Sequence, residues 1–284
     1  MNIAEKVKWF LPSSFKKFIR QALFAPLDIF ESIFKRDGEL RPPRWAIGGN
    51  YGSGSGNFKD SGRRLLSHLV DLGGLAPGDA VLDVGCGIGR LAIPLTGYLT
   101  KNGRYEGFDV IGYNIKWCSR HISARYPNFR FTHSDVYNKF YNRTGRYKAR
   151  DYVFPYQSDS FDMVFLLSVF THMLPEDMEH YVSEISRVTK RSGRCFVTFF
   201  LLNPESIDLM NKGKAGHTFR RTGNDIYRVD DKDIQESIIA YDENFVKELF
   251  ARHGFITQSP IHYGSWCGRK DSADKMDILI FTKG

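Results

Sequence analysis

The chain has 284 residues, 42% hydrophobic and 14% aromatic, which suits one large core or one α/β domain with additions and excludes a disordered chain. It holds no run of eighteen apolar residues, which excludes a hydrophobic spanning helix. Cys86, Cys118, Cys195 and Cys267 lack paired spacing, which argues against a zinc site and for buried thiols in a reducing, cytoplasmic setting. The formal charge of +8 is concentrated in two places. Residues 1–20 hold Lys6, Lys8, Lys16, Lys17 and Arg20 against Glu5, and residues 137–150 hold Lys139, Arg143, Arg146, Lys148 and Arg150 with no acid. Such clusters attract anionic substrates, lipid surfaces or nucleic acid, or are plain solvated faces.

In chain order, residues 1–37 carry Val7, Phe10, Leu11, Phe15, Phe18 and Ile19 at helical spacing, which predicts two or three short amphipathic helices. Pro12 and Lys16-Lys17 interrupt the apolar patch, which argues against a secretory signal. Such helices act either as a lid on a catalytic domain or as a peripheral contact of residues 1–36 with an anionic membrane surface. Arg41-Pro42-Pro43-Arg44 reads as an extended linker, and residues 48–56, with Gly48, Gly49, Gly52, Gly54 and Gly56, as a flexible loop that closes over a ligand. The chain thus divides into a helical extension with a covering loop over residues 1–60 and an α/β domain over residues 61–284.

After a helix at 60–72, strands and helices alternate: strand 80–84, helix 89–100, strand 104–109, helix 113–125 and strand 129–134. They continue as strand 161–167, helix 175–189, strand 193–201, helix 243–253 and strands 255–261 and 277–282. This is the pattern of a Rossmann-like, doubly wound α/β fold with a seven-stranded sheet and crossover helices. Insertions at 136–156 and 203–241 leave the C-terminal side of that sheet, where α/β folds bind ligands, and are expected to wall a substrate pocket.

The densest motif is Ala80-Val81-Leu82-Asp83-Val84-Gly85-Cys86-Gly87-Ile88-Gly89-Arg90-Leu91, a strand, a Gly-rich turn and a helix start, with Asp109 ending the next strand. A Gly-x-Gly-x-x-Gly turn would aim its helix at a pyrophosphate; here the spacing is Gly-x-Gly-x-Gly, and Asp83 repels an anion while suiting ammonium and sulfonium charges. At these residues the chain resembles the class I S-adenosylmethionine-dependent methyltransferases. The resemblance implies that Asp83, Gly85, Cys86, Gly87 and Gly89 hold S-adenosylmethionine. It also implies that Asp109, with Val110 beside it, accepts from the ribose hydroxyls, and that Ser134, Asp135 and Val136 receive the adenine. Ser168 and His172 stand just beyond the fourth strand, in Ser168-Val169-Phe170-Thr171-His172-Met173. That segment matches small-molecule methyltransferases and lacks the Asn/Asp-Pro-Pro-aromatic run common in enzymes acting on base amino groups, which argues against nucleic acid as substrate.

Methyl transfer is an in-line displacement, so alignment and desolvation supply much of the rate, and an oxygen nucleophile also needs a base. His172 is placed for that role, although a histidine here also serves packing alone. Tyr51, in Asn50-Tyr51-Gly52, resembles the opening aromatic segment of phosphoethanolamine methyltransferases, which pair a tyrosine with such a histidine; a Tyr51–His172 partnership is therefore expected. Between the last two strands, Tyr263, Trp266 and Arg269 form an aromatic and basic cluster that either binds substrate or caps a hairpin. The expected function is methyl transfer to an oxygen or nitrogen of a small molecule. The rival readings are methylation of an envelope lipid or lipid-linked sugar and a non-catalytic cofactor-binding module.

Overall fold

The structure, a computed structural model, describes residues 39–50, 55–139 and 141–284. The expected N-terminal helices, Tyr51 and Phe140 lie outside the described residues. The main sheet is built from β1 (Ala80–Val84), β2 (Arg104–Asp109), β3 (Phe129–His133), β4 (Phe161–Leu166), β5 (Thr189–Phe199), β10 (Phe255–Thr257) and β11 (Asp277–Lys283), the intervening numbers belonging to a smaller sheet given below. Its order is β10-β11-β5-β4-β1-β2-β3, parallel from β3 through β5, with β11 antiparallel to both neighbours.

Both faces of the sheet are covered, so its central strands are apolar at successive positions rather than alternating with polar ones. On β1, Leu82 and Val84 join one buried cluster and Val81 the other; on β4, Val164 and Leu166 oppose Met163 and Phe165. α1 (Arg44–Asn50), α2 (Ser55–Asp71), α3 (Ala92–Leu95) and α4 (Gly112–Cys118) precede β3, and Leu65, Leu69, Leu95 and Trp117 from this group enter the Val81 cluster. α5 (Pro175–Val188) inserts Met178, Val182 and Ile185 into the opposite cluster, after an N-terminus with Pro175 in its first turn followed by Glu176 and Asp177. α6 (Pro204–Asn211) carries a reciprocal Asn203–Ser206 capping box, and α7 (Glu243–Arg252) is capped by Asp242 and packs beside α5.

The elements differ from the sequence expectation where local chemistry intervenes. The helix expected at 89–100 is the single turn of α3 prolonged by further turns, because Pro94 has no N–H to donate and Gly97 favours turns. The helix expected at 113–125 changes from α to π geometry at Ser119–Ser123. The extended linker ends where α1 begins at Arg44, and the Gly-rich stretch 48–56 is helical at both ends, in α1 and in α2. The insertion 203–241 is more ordered than a polar excursion: with its flanks it forms a second sheet of β6 (Leu201–Leu202), β7 (Arg220–Arg221), β8 (Tyr227–Val229) and β9 (Ile239–Asp242), in the order β6-β9-β8-β7. Strands this short leave no periodicity to read. All four cysteines are buried, and among the described residues no helix is long and apolar enough to cross a membrane.

Candidate active site

Chain direction reverses between β1, which leads outward to β2 and β3, and β4, which leads the other way, so a crevice opens at the C-terminal ends of β1 and β4. Gly85 fills the corner with φ +76°, and a Cβ there would stand 2.5 Å from Val169 Cγ2, so only glycine fits without displacing the β4 loop. The turn is tied to β2: Gly85 N and Cys86 N donate to Phe108 O at 2.8 and 3.0 Å, and Gly87 N donates to Asp109 Oδ2 at 2.9 Å. Asp109 Oδ1 accepts from Ile111 N at 2.8 Å, so each carboxylate oxygen takes one backbone N–H and keeps acceptor capacity. Burial raises the Asp109 pKa from its ordinary value, opposed by those two N–H donors.

A cavity of about 590 Å³ opens from this corner. Gly85, Gly87, Asp109 and Val110 stand on its wall with Ser134, Val136, Ser168 and His172. The Ser134 hydroxyl is buried there with no hydrogen-bond partner among the described residues. Ser168 adopts φ +61°, held by donation of its N–H to Thr198 Oγ1 at 2.8 Å and of its hydroxyl to Met276 Sδ at 3.1 Å.

Four residues expected in the same site are placed elsewhere. Asp83 lies on the other face of β1 from the cavity, where it accepts from Tyr105 Oη at 2.7 Å and burial pushes its pKa up to about 7. Cys86 is buried in the turn with its thiol 3.7 Å from Gly87 O, and Gly89 packs so that a Cβ would meet Ile122 Cδ1 at 3.0 Å. The Asp135 carboxylate faces Asn142 Nδ2 at 3.4 Å, off the cavity wall.

At the opposite end, His172 sits in a short 3-10 turn, Phe170–His172. Its Nδ1 is 3.0 Å from Glu236 O, a group that only accepts, so Nδ1 carries the proton of the neutral ring and Nε2 keeps its lone pair. Nε2 lies 3.2 Å from Tyr141 Oη, with the two rings edge to face. Burial lowers the His172 pKa and pushes that of Tyr141 up to about 12, so the ring stays neutral and the phenol protonated. Asn138 braces the pair, donating from Nδ2 to His172 O at 3.1 Å and accepting from Tyr141 N at 2.9 Å. Both insertions thus reach the cavity, the first through Asn138 and Tyr141 and the second through Glu236. Sequence reasoning marked the 136–156 segment as a wall but not Tyr141 as the partner of His172, which is a contact between distant loops without a spacing signal.

The cluster assigned to substrate is engaged in the fold. Asp277, fully buried at the start of β11, accepts from Leu201 N and Gly264 N at 2.7 Å each, from Trp266 Nε1 at 2.6 Å and from an Arg269 terminal nitrogen at 3.1 Å. Arg269 also reaches Glu205 at 2.7 Å and lies over the Tyr263 ring, while Tyr263 Oη donates to Glu243 at 3.0 Å. These contacts lock the second sheet to the first. Tyr263 and Arg269 line neither this cavity nor a second one of about 440 Å³ beside it, whereas Trp266 lines the second.

Residues 81–193 match a family described as a methyltransferase domain. Over 130 residues the chain is 32% identical to a Thermoplasma acidophilum protein named "Probable cobalt-precorrin-6B C(15)-methyltransferase (decarboxylating)", a match covering 44% of this chain and 55% of the relative. Over 156 residues it is 29% identical to the 27-O-demethylrifamycin SV methyltransferase of Amycolatopsis mediterranei, covering 55% of this chain and 51% of the relative. The chain thus spans about half the length of these curated relatives. Its fold is similar to that of the magnesium protoporphyrin IX methyltransferase of Synechocystis, solved with bound S-adenosylhomocysteine: TM-score 0.51, 16% identity, with 92% of this chain and 99% of that one covered.

Proposed function

We propose that the chain, whose residues 81–193 match a methyltransferase domain, is a class I S-adenosylmethionine-dependent methyltransferase that transfers a methyl group to an oxygen or nitrogen of a small molecule. The observation that carries the proposal is one cavity with unused hydrogen-bonding capacity at one end and a neutral histidine at the other. The residues fit the cofactor: Asp109 retains acceptor capacity on both oxygens for a ribose diol, and the unpartnered Ser134 hydroxyl can bond a base edge. Val110 and Val136 offer apolar contact for a flat ring, and Gly85 and Gly87 let backbone approach closely. When bound, S-adenosylmethionine supplies a methyl group already activated on a cationic sulfur.

The protein's own share of the work is positioning, exclusion of water and acceptance of a proton. The Nδ1–H to Glu236 carbonyl bond fixes the tautomer in which His172 Nε2 is basic, and the lowered pKa keeps it unprotonated near neutrality. An acceptor hydroxyl seated beside the pair loses its proton to Nε2, directly or through the Tyr141 hydroxyl. Tyr51, which the resemblance paired with His172, lies outside the described residues; among those described, Tyr141 is the tyrosine whose hydroxyl meets His172 Nε2. That the curated relatives are named for action on a precorrin and a rifamycin supports a small-molecule acceptor.

The test is transfer of radiolabelled methyl from S-adenosylmethionine into a lysate of the source organism, fractionated into metabolites, organic extract and macromolecules, with Asp109→Ala as control. Asp109-dependent label in low-molecular-weight material is expected. Label confined to macromolecules, or none that depends on Asp109, would overturn the reading.

A further inference from the structure

The second cavity shares Arg90, Leu167, Ser168, Phe200 and Met276 with the first, so the two adjoin across Ser168 and Met276. Its character is different. Phe200, His217, Phe219 and Trp266 form an aromatic cluster with ring centroids 5.4–6.1 Å apart, and Phe200, His217 and Trp266 of that cluster face the cavity. Among the described residues around them, Arg64, Arg90 and Lys275 stand against the single acid Asp274, a wall of net positive charge. Arg64 Nε lies 3.4 Å from Asp274, which offsets one of these cations. The Lys275 ammonium has no hydrogen-bond or ion-pair partner among the described residues. Ser168, at the boundary, is held in the left-handed region, a conformation that strains a non-glycine residue and recurs at functional sites.

Resting on the methyl-transfer reading, we infer that this second cavity is the acceptor chamber and that its ligand is a planar aromatic compound bearing an acidic group. The rings of Phe200, His217 and Trp266 provide apolar, edge-and-face contact for a flat molecule. Lys275 provides the counter-charge at the rim, and the atom to be methylated reaches the first cavity past Ser168 and Met276. The first cavity, which the cofactor would fill, sets Asp109, Asp177 and Glu236 against Arg90, Lys148 and Arg150, so its described wall carries no comparable excess of positive charge.

The test is calorimetric titration of the whole protein, in the presence of S-adenosylhomocysteine, with a hydroxynaphthoate and with the matching neutral hydroxynaphthamide. The acid should bind more tightly than the amide, and Lys275→Gln should weaken the acid roughly three- to tenfold while leaving the amide unchanged. Gly216 lines the chamber with the nearest obstacle to a Cβ, Trp266 O, at 3.8 Å, so Gly216→Phe should fill the space and abolish binding of both probes without changing S-adenosylhomocysteine affinity. Equal affinity for acid and amide, no binding of either, or full binding by Gly216→Phe would overturn the assignment. Binding of the acid without any binding of S-adenosylhomocysteine would instead sink the methyl-transfer reading and leave the anion chamber standing.

Discussion

Asp109 and Asp277 are two aspartates at strand ends, both buried and both with pKa values raised by burial. Asp277 accepts from Leu201 N and Trp266 Nε1 on one oxygen and from Gly264 N and Arg269 on the other, which fills the roughly four lone-pair directions of a carboxylate. Among the described residues Asp109 accepts only from Gly87 N and Ile111 N, and it stands on a cavity wall. Neither burial nor a shifted pKa separates a binding carboxylate from a structural one; unfilled acceptor capacity beside open space does.

The largest effect should come from breaking the saturated centre. Asp277→Ala removes the buried one of the two carboxylates that hold the Arg269 guanidinium, leaving only the exposed Glu205, and strips three further donors, so unfolding by denaturant should show a loss of about 3–5 kcal/mol. Asp109→Ala should be the converse. It removes charge-assisted bonds worth about 1.5–3 kcal/mol each to a bound ribose, so S-adenosylhomocysteine affinity by calorimetry should fall roughly a hundredfold. If Asp277→Ala weakened binding more than Asp109→Ala in folded protein, the contrast would fail.

What the sequence revealed follows the same division. The strands, the Gly85-Gly87 turn and Asp109 were legible because each is fixed by neighbours in sequence, through apolar runs, glycine spacing and a carboxylate one strand away. The engagement of Tyr263 and Arg269 within the fold was not. Residue type shows which donors a chain carries, and only the tertiary structure shows that Asp277, Glu205 and Glu243 already engage them. Asp83 was misplaced for a related reason: its side chain leaves β1 on the face opposite Val84, where Tyr105 Oη meets it. Ser134, by contrast, was expected at the site, and the structure adds that its hydroxyl has no partner among the described residues.

A smaller effect should come from the corner that joins turn and β4 loop. Gly85→Ala places a methyl 2.5 Å from Val169 Cγ2 in a left-handed conformation, at an expected cost of about 2 kcal/mol in stability together with weaker cofactor binding. Equivalent substitution at Gly223, where φ is +88° and no atom lies within 4 Å of a new Cβ, carries only the conformational part of that cost and should leave cofactor binding unchanged. The difference between the two variants isolates the clash from the backbone term.

The smallest effect bears on the other end of the cavity, where the same criterion asks whether His172 has an open valence or is packed. Burial lowers its pKa, so in an NMR titration its ring should protonate below the usual ~6.5, and methyl transfer to a hydroxyl should rise with pH through that midpoint and then level off. The Tyr141 hydroxyl donates to Nε2 only while the ring is neutral, so it stabilises the unprotonated form. Tyr141→Phe should therefore move the midpoint upward, carry the acid limb of the rate with it, and lower the plateau only about threefold. A histidine that serves packing alone predicts a different pattern: Tyr141→Phe would change stability while the acid limb and plateau stayed in place. The direction of the shift matters more than its size, because loss of a partner that favoured protonation would move the midpoint down.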